Sequence, residues 1–204
     1  MKMAFQLIFF TFFFTALIFS SLPSNYAHSH YPIDIGPAMV RNLDKEFQDS
    51  NTIPGISHIT VAGAVLHGFN EIEVWMETAA PGGSTPVHRH ACEEVFVVLK
   101  GSGTLYVASN ASDSDGGKVF PGRPETMHFS VNSTFHVAPD VVHQVLNTDP
   151  HQDLHLLVVV SKPPIKVMMY EDWTTPHNEA QLMNPFVWDA RYVVADQTSS
   201  AQEI

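Results

Sequence analysis

The reading of this chain turns on one stretch, Gly82-Gly83-Ser84-Thr85-Pro86-Val87-His88-Arg89-His90-Ala91-Cys92-Glu93-Glu94-Val95-Phe96-Val97-Val98-Leu99-Lys100-Gly101. Two residues at i and i+2 on a strand point to one face, so the imidazoles of His88 and His90 can converge on one ion while Arg89 points the other way. Glu94 follows four residues after His90 and opens an apolar run, and His143 opens a later one. A lone histidine is ordinarily a surface or core residue, and that account covers most of the twelve in this chain. It does not cover this composite spacing. Three imidazoles and a carboxylate form an ordinary shell for a divalent metal, so His88, His90, Glu94 and His143 are the candidate ligands.

Around this stretch the chain alternates short β-rich runs with Gly, Pro, Asn and Asp turns from about residue 53 to residue 164. The runs cover 59–66, 72–78, 94–100, 104–108, 134–138, 143–147 and 154–161. Regular spacing of short strands without helical periodicity implies an all-β sandwich or barrel of jelly-roll type. In Ile72-Glu73-Val74-Trp75-Met76-Glu77, alternation places Glu73, Trp75 and Glu77 on one face. That face is either a pocket wall or a solvated surface with one exposed Trp. Residues 109–118 are polar and Gly-rich and read as an exposed loop with no binding role. After Pro163-Pro164 the pattern changes. Thr174, Thr175 and Pro176 are helix-start signals, so 177–183 is expected to form a short helix that Pro185 ends. The organisation is therefore 1–27 leader, 28–52 extension, 53–164 barrel, and 165–204 helix and aromatic tail packed on the barrel.

The first twenty residues hold one Lys and are otherwise dominated by Phe, Leu, Ile and Ala. This reads as a signal peptide with cleavage near Ala27; a membrane anchor is disfavoured by the short span and the Ser20-Ser21 and Pro23 that follow. Sequons at Asn110-Ala111-Ser112 and Asn132-Ser133-Thr134 agree with a secretory route. Cys92 is the only cysteine, so no intramolecular disulfide can form, and it reads as a small buried hydrophobe. A net charge of −11 opposes association with a phosphate backbone and excludes nucleic acid as a partner.

The spacing Gly82-x5-His88-x-His90-x3-Glu94-x6-Gly101 resembles the first motif of the cupin superfamily; His143-Gln144-Val145-Leu146-Asn147 resembles the second, with Pro139 displaced by one and Asp140 where Gly is common. Four longer segments carry a more specific likeness: Ser57-His58-Ile59-Thr60-Val61-Ala62-Gly63-Ala64, Thr85-Pro86-Val87-His88-Arg89-His90, Cys92-Glu93-Glu94-Val95-Phe96 and Pro185-Phe186-Val187-Trp188-Asp189 are similar to plant auxin-binding proteins. The resemblance implies a cupin jelly-roll dimer that holds zinc and acts as an auxin receptor with a membrane-associated signalling partner. It also implies zinc ligands at His88, His90, Glu94 and His143, the ligand carboxylate near Thr85, and a wall of Ile53, Ile56, Trp75, Pro86, Val167, Phe186 and Trp188. A flat apolar slot for a ring and a cation for a carboxylate suit that chemistry.

Three departures from the family accompany the likeness. The cysteine pair that ties the termini of relatives is absent, which makes the tail from Pro185 onward a candidate mobile lid over the pocket. The chain ends Ala201-Gln202-Glu203-Ile204 where relatives often carry an endoplasmic reticulum retention tetrapeptide, so export to the cell exterior is expected. Glu77 stands where an uncharged amide is usual, and if ionised it opposes a ligand carboxylate. The rival reading is a germin-like secreted cupin using manganese for oxidase or dismutase chemistry, since the same shell can serve a redox metal. Germins usually have one more residue between the second His and the Glu and an N-terminal Cys pair, and neither is present here.

Overall fold

A computed structural model describes residues 39–109, 114–190 and 192; the expected signal peptide, the Asn110 sequon and the chain after Tyr192 lie outside them. Thirteen strands are described: β1 (Ile56–Ala62), β2 (Ile72–Ala79), β3 (Val87–His90), β4 (Glu94–Lys100), β5 (Ser102–Ala108), β6 (Ser114–Asp115), β7 (Lys118–Val119), β8 (Pro124–Ser130), β9 (Thr134–Val137), β10 (His143–Leu146), β11 (Leu154–Ser161), β12 (Val167–Tyr170) and β13 (Gln181–Met183). They form a five-stranded sheet in the order β1-β2-β11-β4-β9, a six-stranded sheet in the order β13-β12-β3-β10-β5-β8, and the small β6-β7 ribbon. The two large sheets pack face to face as an antiparallel jelly roll.

The core follows from strand periodicity. In β11, Leu154, Leu156, Val158 and Val160 alternate inward and are fully buried at the centre of the five-stranded sheet. Phe96 and Val98 of neighbouring β4 join them, and Val145 of β10 meets them from the facing sheet. Gly101 adopts φ 81 in the tight β4–β5 connection, and a Cβ there would lie 2.7 Å from the Asp153 carbonyl oxygen, so only glycine fits. Cys92 is buried, its thiol 3.9 Å from the Lys162 carbonyl oxygen.

Four expectations change. The helix over 177–183 does not form: Gln181–Met183 is β13, whose backbone pairs with Val167–Met169 of β12. Asp172 captures the start signals in a turn instead, accepting from the Thr174 N–H at 2.7 Å, and the His177 N–H bonds to the Val119 carbonyl at 2.8 Å. The six-stranded sheet therefore continues through β12 and β13, past the expected end of the barrel at residue 164. The run 59–66 breaks at Ala62, where α1 (Ala64–His67) begins. Buried Glu73 accepts the Ala64 N–H at 2.8 Å, His67 Nδ1 accepts the Gly63 N–H at 3.1 Å, and Gly68 ends the turn at φ 73. Finally, the loop expected over 109–118 contains the β6–β7 ribbon. Among the described residues, no helix is long and apolar enough to cross a membrane.

Candidate functional site

The four candidate ligands come from both sheets. His88 and His90 lie on β3, and His143 on β10 sits directly opposite His88 in the antiparallel register, so the three imidazoles share the inner face of the six-stranded sheet. Glu94 opens β4 in the facing sheet, where it pairs with Val137 and Val160. The turn at 91–93 carries the chain across the sandwich, which brings a carboxylate over the three rings.

All four side chains are buried, and one donor atom from each lies within 4.8 Å of the others. Each imidazole is held by its rear nitrogen: His88 Nδ1 donates to the Pro86 carbonyl at 2.8 Å, His90 Nδ1 to the Cys92 carbonyl at 3.1 Å and His143 Nδ1 to the Val141 carbonyl at 2.9 Å. This fixes the proton on each Nδ1 and turns each Nε2 toward the centre, where His90 Nε2 meets Glu94 Oε2 at 3.1 Å. His143 Nε2 lies 3.0 Å from Glu94 Oε2 yet makes no hydrogen bond. The two atoms aim at a common point rather than at each other. The donor set thus fits a divalent cation.

Electrostatics of the bare protein agree. Burial, then neighbouring His143, pushes His88 down to about 3, so it stays neutral. Burial opposes charge on His90, but Cys92 and Glu94 outweigh it and raise the imidazole to about 10. Burial likewise opposes the Glu94 anion, and His143 and His90 outweigh it, holding that carboxyl well below the usual range. A proton between His90 and Glu94 stands in for a cation, and metal binding must expel it.

Beside this cluster lies an apolar pocket lined by Ile53, Trp75, Glu77, Thr85, Pro86, His88, Glu94, Phe96, Ile165, Val167, Phe186 and Trp188. Six of the seven wall residues read from the sequence line it, and so does Thr85. Ile56 does not: β1 turns its side chain into the core. Phe96 and Ile165 were not anticipated; each sits in an apolar run whose composition cannot tell a wall from a core. The buried face of β2 carries Glu73, Trp75 and Glu77, so that face is a wall and not a solvated surface. Thr85 is fixed by its Oγ1, which accepts the Val145 N–H at 2.9 Å.

Phe186 and Trp188 reach the pocket from a turn in which the Asp189 and Ala190 N–H groups bond to the Phe186 carbonyl, both at 3.0 Å. Their rings meet edge to face at 4.4 Å. Trp188 also stacks on His58, with centroids 4.0 Å apart and planes at 17°, and Trp75 lies 5.9 Å away. Burial pushes His58 down to about 3, so the stacked ring is neutral. The pocket is small, about 20 Å³, room for roughly one water. Glu77 is 4% exposed and its Oε1 is buried without a partner. Burial, then Glu94, pushes its carboxyl up to about 8, against an opposing effect of the Trp75 indole, whose Nε1 faces it without hydrogen-bond geometry.

A two-sheet jelly roll closed around a three-histidine, one-carboxylate constellation defines the class: a cupin with a candidate metal centre. A sequence profile described as "Auxin binding protein" matches residues 30–202, and the chain belongs to that family. It is 51% identical to auxin-binding protein T85 of Nicotiana tabacum over 154 residues, covering 76% of this chain and 80% of the relative. It is 50% identical to auxin-binding protein 1 of Arabidopsis thaliana over 162 residues, covering 79% and 78%. Among solved structures it is similar in fold to Peruvianin-I, a cysteine peptidase from Thevetia peruviana latex (TM-score 0.52, 11% identity, 64% of this chain and 76% of that one). Oxalate decarboxylase from Bacillus subtilis is also similar (TM-score 0.50, 13% identity, 67% and 34%). At these identities the likeness concerns fold alone.

Proposed function

We propose that this chain is a metal-dependent auxin-binding protein and not an enzyme. It takes an aryl carboxylate such as indole-3-acetic acid with the ring against Trp75, Phe186 and Trp188. The observation that carries the reading is the continuity of the buried His88, His90, Glu94 and His143 cluster with that aromatic wall, in a chain of the auxin-binding protein family. Zinc is the proposed metal, since a buried shell of three nitrogens and one oxygen suits it; when bound, it supplies the cation that meets the ligand carboxylate. Thr85 borders that end of the pocket, and the wall excludes water from the contact.

An enclosed volume of about 20 Å³ is far below the ~300–1,000 Å³ of ligand pockets. The wall therefore yields on binding. The segment from Pro185 is the part free to do so, because Phe186 and Trp188 are held there by ring contacts and one turn, without ladder bonds. Its movement, as a lid that closes over the ligand, is the proposed signal. The copies pair as a homodimer and pass occupancy to a membrane-associated partner. The apolar leader and the sequons support a secretory route; Asn132 is exposed at the β8–β9 turn with φ 68 and is accessible to modification.

Calorimetric titration with indole-3-acetic acid, with and without chelator, tests the reading. Binding is expected only with metal, and equal binding to chelated protein overturns it. Elemental analysis separates zinc from manganese, and superoxide and oxalate assays are expected to show no turnover.

A further inference from the structure

Away from the metal pocket, and sharing no lining residue with it, a second cleft of about 480 Å³ opens to solvent. Its walls include Ser114, Asp115, Phe120, Arg123, Trp173 and Thr174. We propose that it binds a neutral oligosaccharide.

The cleft is built rather than incidental. The β6–β7 ribbon and its exit form one wall, and the turn around Asp172 forms the other. Two contacts tie them together: the backbone bond from His177 to Val119 at 2.8 Å and the Lys118–Glu179 ion pair at 2.6 Å. Asp172 holds the second wall by accepting from the Thr174 N–H at 2.7 Å and the Thr174 hydroxyl at 2.6 Å. Trp173 is half-buried. It packs on the small cluster of Val87, Val142 and Tyr170, and its Nε1 donates to Gln144 Oε1 at 3.4 Å. The indole is thus fixed before any ligand arrives, which removes most of the ordering cost of a stacking contact.

The charge pattern selects the occupant. Arg123 and Asp115 are exposed, and neither side chain has an ion pair or hydrogen bond among the described residues. One cation and one anion facing a single cleft give no net preference for a charged ligand, in contrast to the metal pocket, where a cation awaits a carboxylate. A net charge of −11 further opposes a polyanion. What satisfies both side chains at once is a neutral group that donates and accepts: its hydroxyls give to Asp115 and accept from Arg123. Ser114 and Thr174 add hydroxyls of the same dual character. The rings of Trp173 and Phe120 call for an apolar face beside those hydroxyls, and a pyranose presents both. The cleft volume falls in the range of ligand sites, ~300–1,000 Å³, and its open side admits a chain longer than one sugar.

The test uses the full mature chain, enzymatically deglycosylated, loaded with metal, and titrated with cellohexaose, mannohexaose and a galacturonic acid hexamer. Binding is read from the Trp173 indole N–H resonance, assigned by Trp173→Phe. A saturable shift with at least one neutral hexamer is expected, and the anionic hexamer should bind at least tenfold more weakly. Trp173→Ala should lose at least tenfold in affinity. Arg123→Gln and Asp115→Asn, both on the surface, should each lose severalfold while metal content and indole-3-acetic acid binding stay unchanged. Absence of binding to both neutral hexamers, tighter binding of the galacturonic acid hexamer, or undiminished affinity in Arg123→Gln and Asp115→Asn overturns the proposal. Loss of affinity in Trp173→Ala alone, with those two surface variants unaffected, also counts against it. Because the cleft shares no residue with the metal pocket, a failed sugar titration leaves the auxin reading standing, and the converse holds.

Discussion

The two ends of the pocket are built differently. At the candidate metal end, three side chains stand on strands, each imidazole is tethered through Nδ1 to a carbonyl two residues away, and Glu94 closes the set from the facing sheet. At the aromatic end, Phe186 and Trp188 hang from one turn, Trp188 held by ring contacts with His58 and Trp75 and Phe186 by its contact with Trp188. Directional bonds within a sheet define positions to fractions of an ångström, whereas stacked rings can slide at little cost. On the proposed function, the difference is a division of labour: a candidate cation site prepared in advance, and a wall that gives way to a ring. Buried acid groups sharpen it. Glu94 is compensated by two imidazoles, while Asp189 in the wall segment faces another carboxyl, Glu73, and burial followed by that neighbour pushes it up to about 7.

The largest expected effect lies at the rigid end. His90→Ala should abolish stoichiometric metal in elemental analysis, since altering even groups that merely orient ligands costs roughly 10–100-fold in affinity and this change removes a ligand. A full metal complement in that variant would break the comparison at its stronger side. At the soft end, Trp188→Ala should weaken indole-3-acetic acid by roughly 1–3 kcal/mol in calorimetry through lost apolar contact, with metal retained. Loss of metal in Trp188→Ala would mean that the two ends are one unit.

Glu77 sits between the ends and gives a pH test in chelated protein. Its carboxyl is raised from 4.5 to about 8, so the folded chain keeps a proton that the unfolded chain has lost across that window. Stability should therefore fall as pH rises from about 4.5 to about 8, and Glu77→Gln should flatten that fall and raise Tm at pH 8, measured by thermal melts. An unchanged slope in Glu77→Gln would show that the carboxyl is not the cause. With metal present, the same variant should bind indole-3-acetic acid more tightly at pH 8, because a buried anion beside the ligand carboxylate is gone.

The smallest effect concerns the wall segment itself. Asp189 is raised from 3.8 to about 7 by burial and then by the facing carboxyl of Glu73. Docking of residues 185–190 should weaken as pH rises from about 4 to about 7, and amide hydrogen exchange should report it. Asp189→Asn should remove the pH dependence. Saturating indole-3-acetic acid at fixed pH should slow exchange over the same residues. Equal protection with and without ligand would make Phe186 and Trp188 fixed wall residues and end the lid.

The likeness to a family, the four candidate metal ligands and the all-β architecture are all legible in the chain, because strand periodicity and i, i+2 spacing are local properties. Of the six wall residues that line the pocket, strand alternation offered only Trp75 as a wall candidate, and the other five were legible through resemblance. Composition alone cannot distinguish Val167 in a wall from Ile56 in a core, since both are aliphatic and both are buried. The short helix after Pro176 was a misreading for a related reason: Thr174, Thr175 and Pro176 are helix-start signals in isolation, but a nearby strand offered the backbone of Gln181–Met183 ladder bonds instead. Local chemistry of the residues thus determined which groups could bind a metal and which runs could be strands. Only the packing of one sheet on the other decided that Glu94 would cross over three histidines and that Glu77 would be buried without a partner, and only the docking of the β6–β7 ribbon against the Asp172 turn decided that Trp173 would wall a second cleft. Each of those outcomes depends on contacts between residues far apart in sequence, which no local pattern encodes.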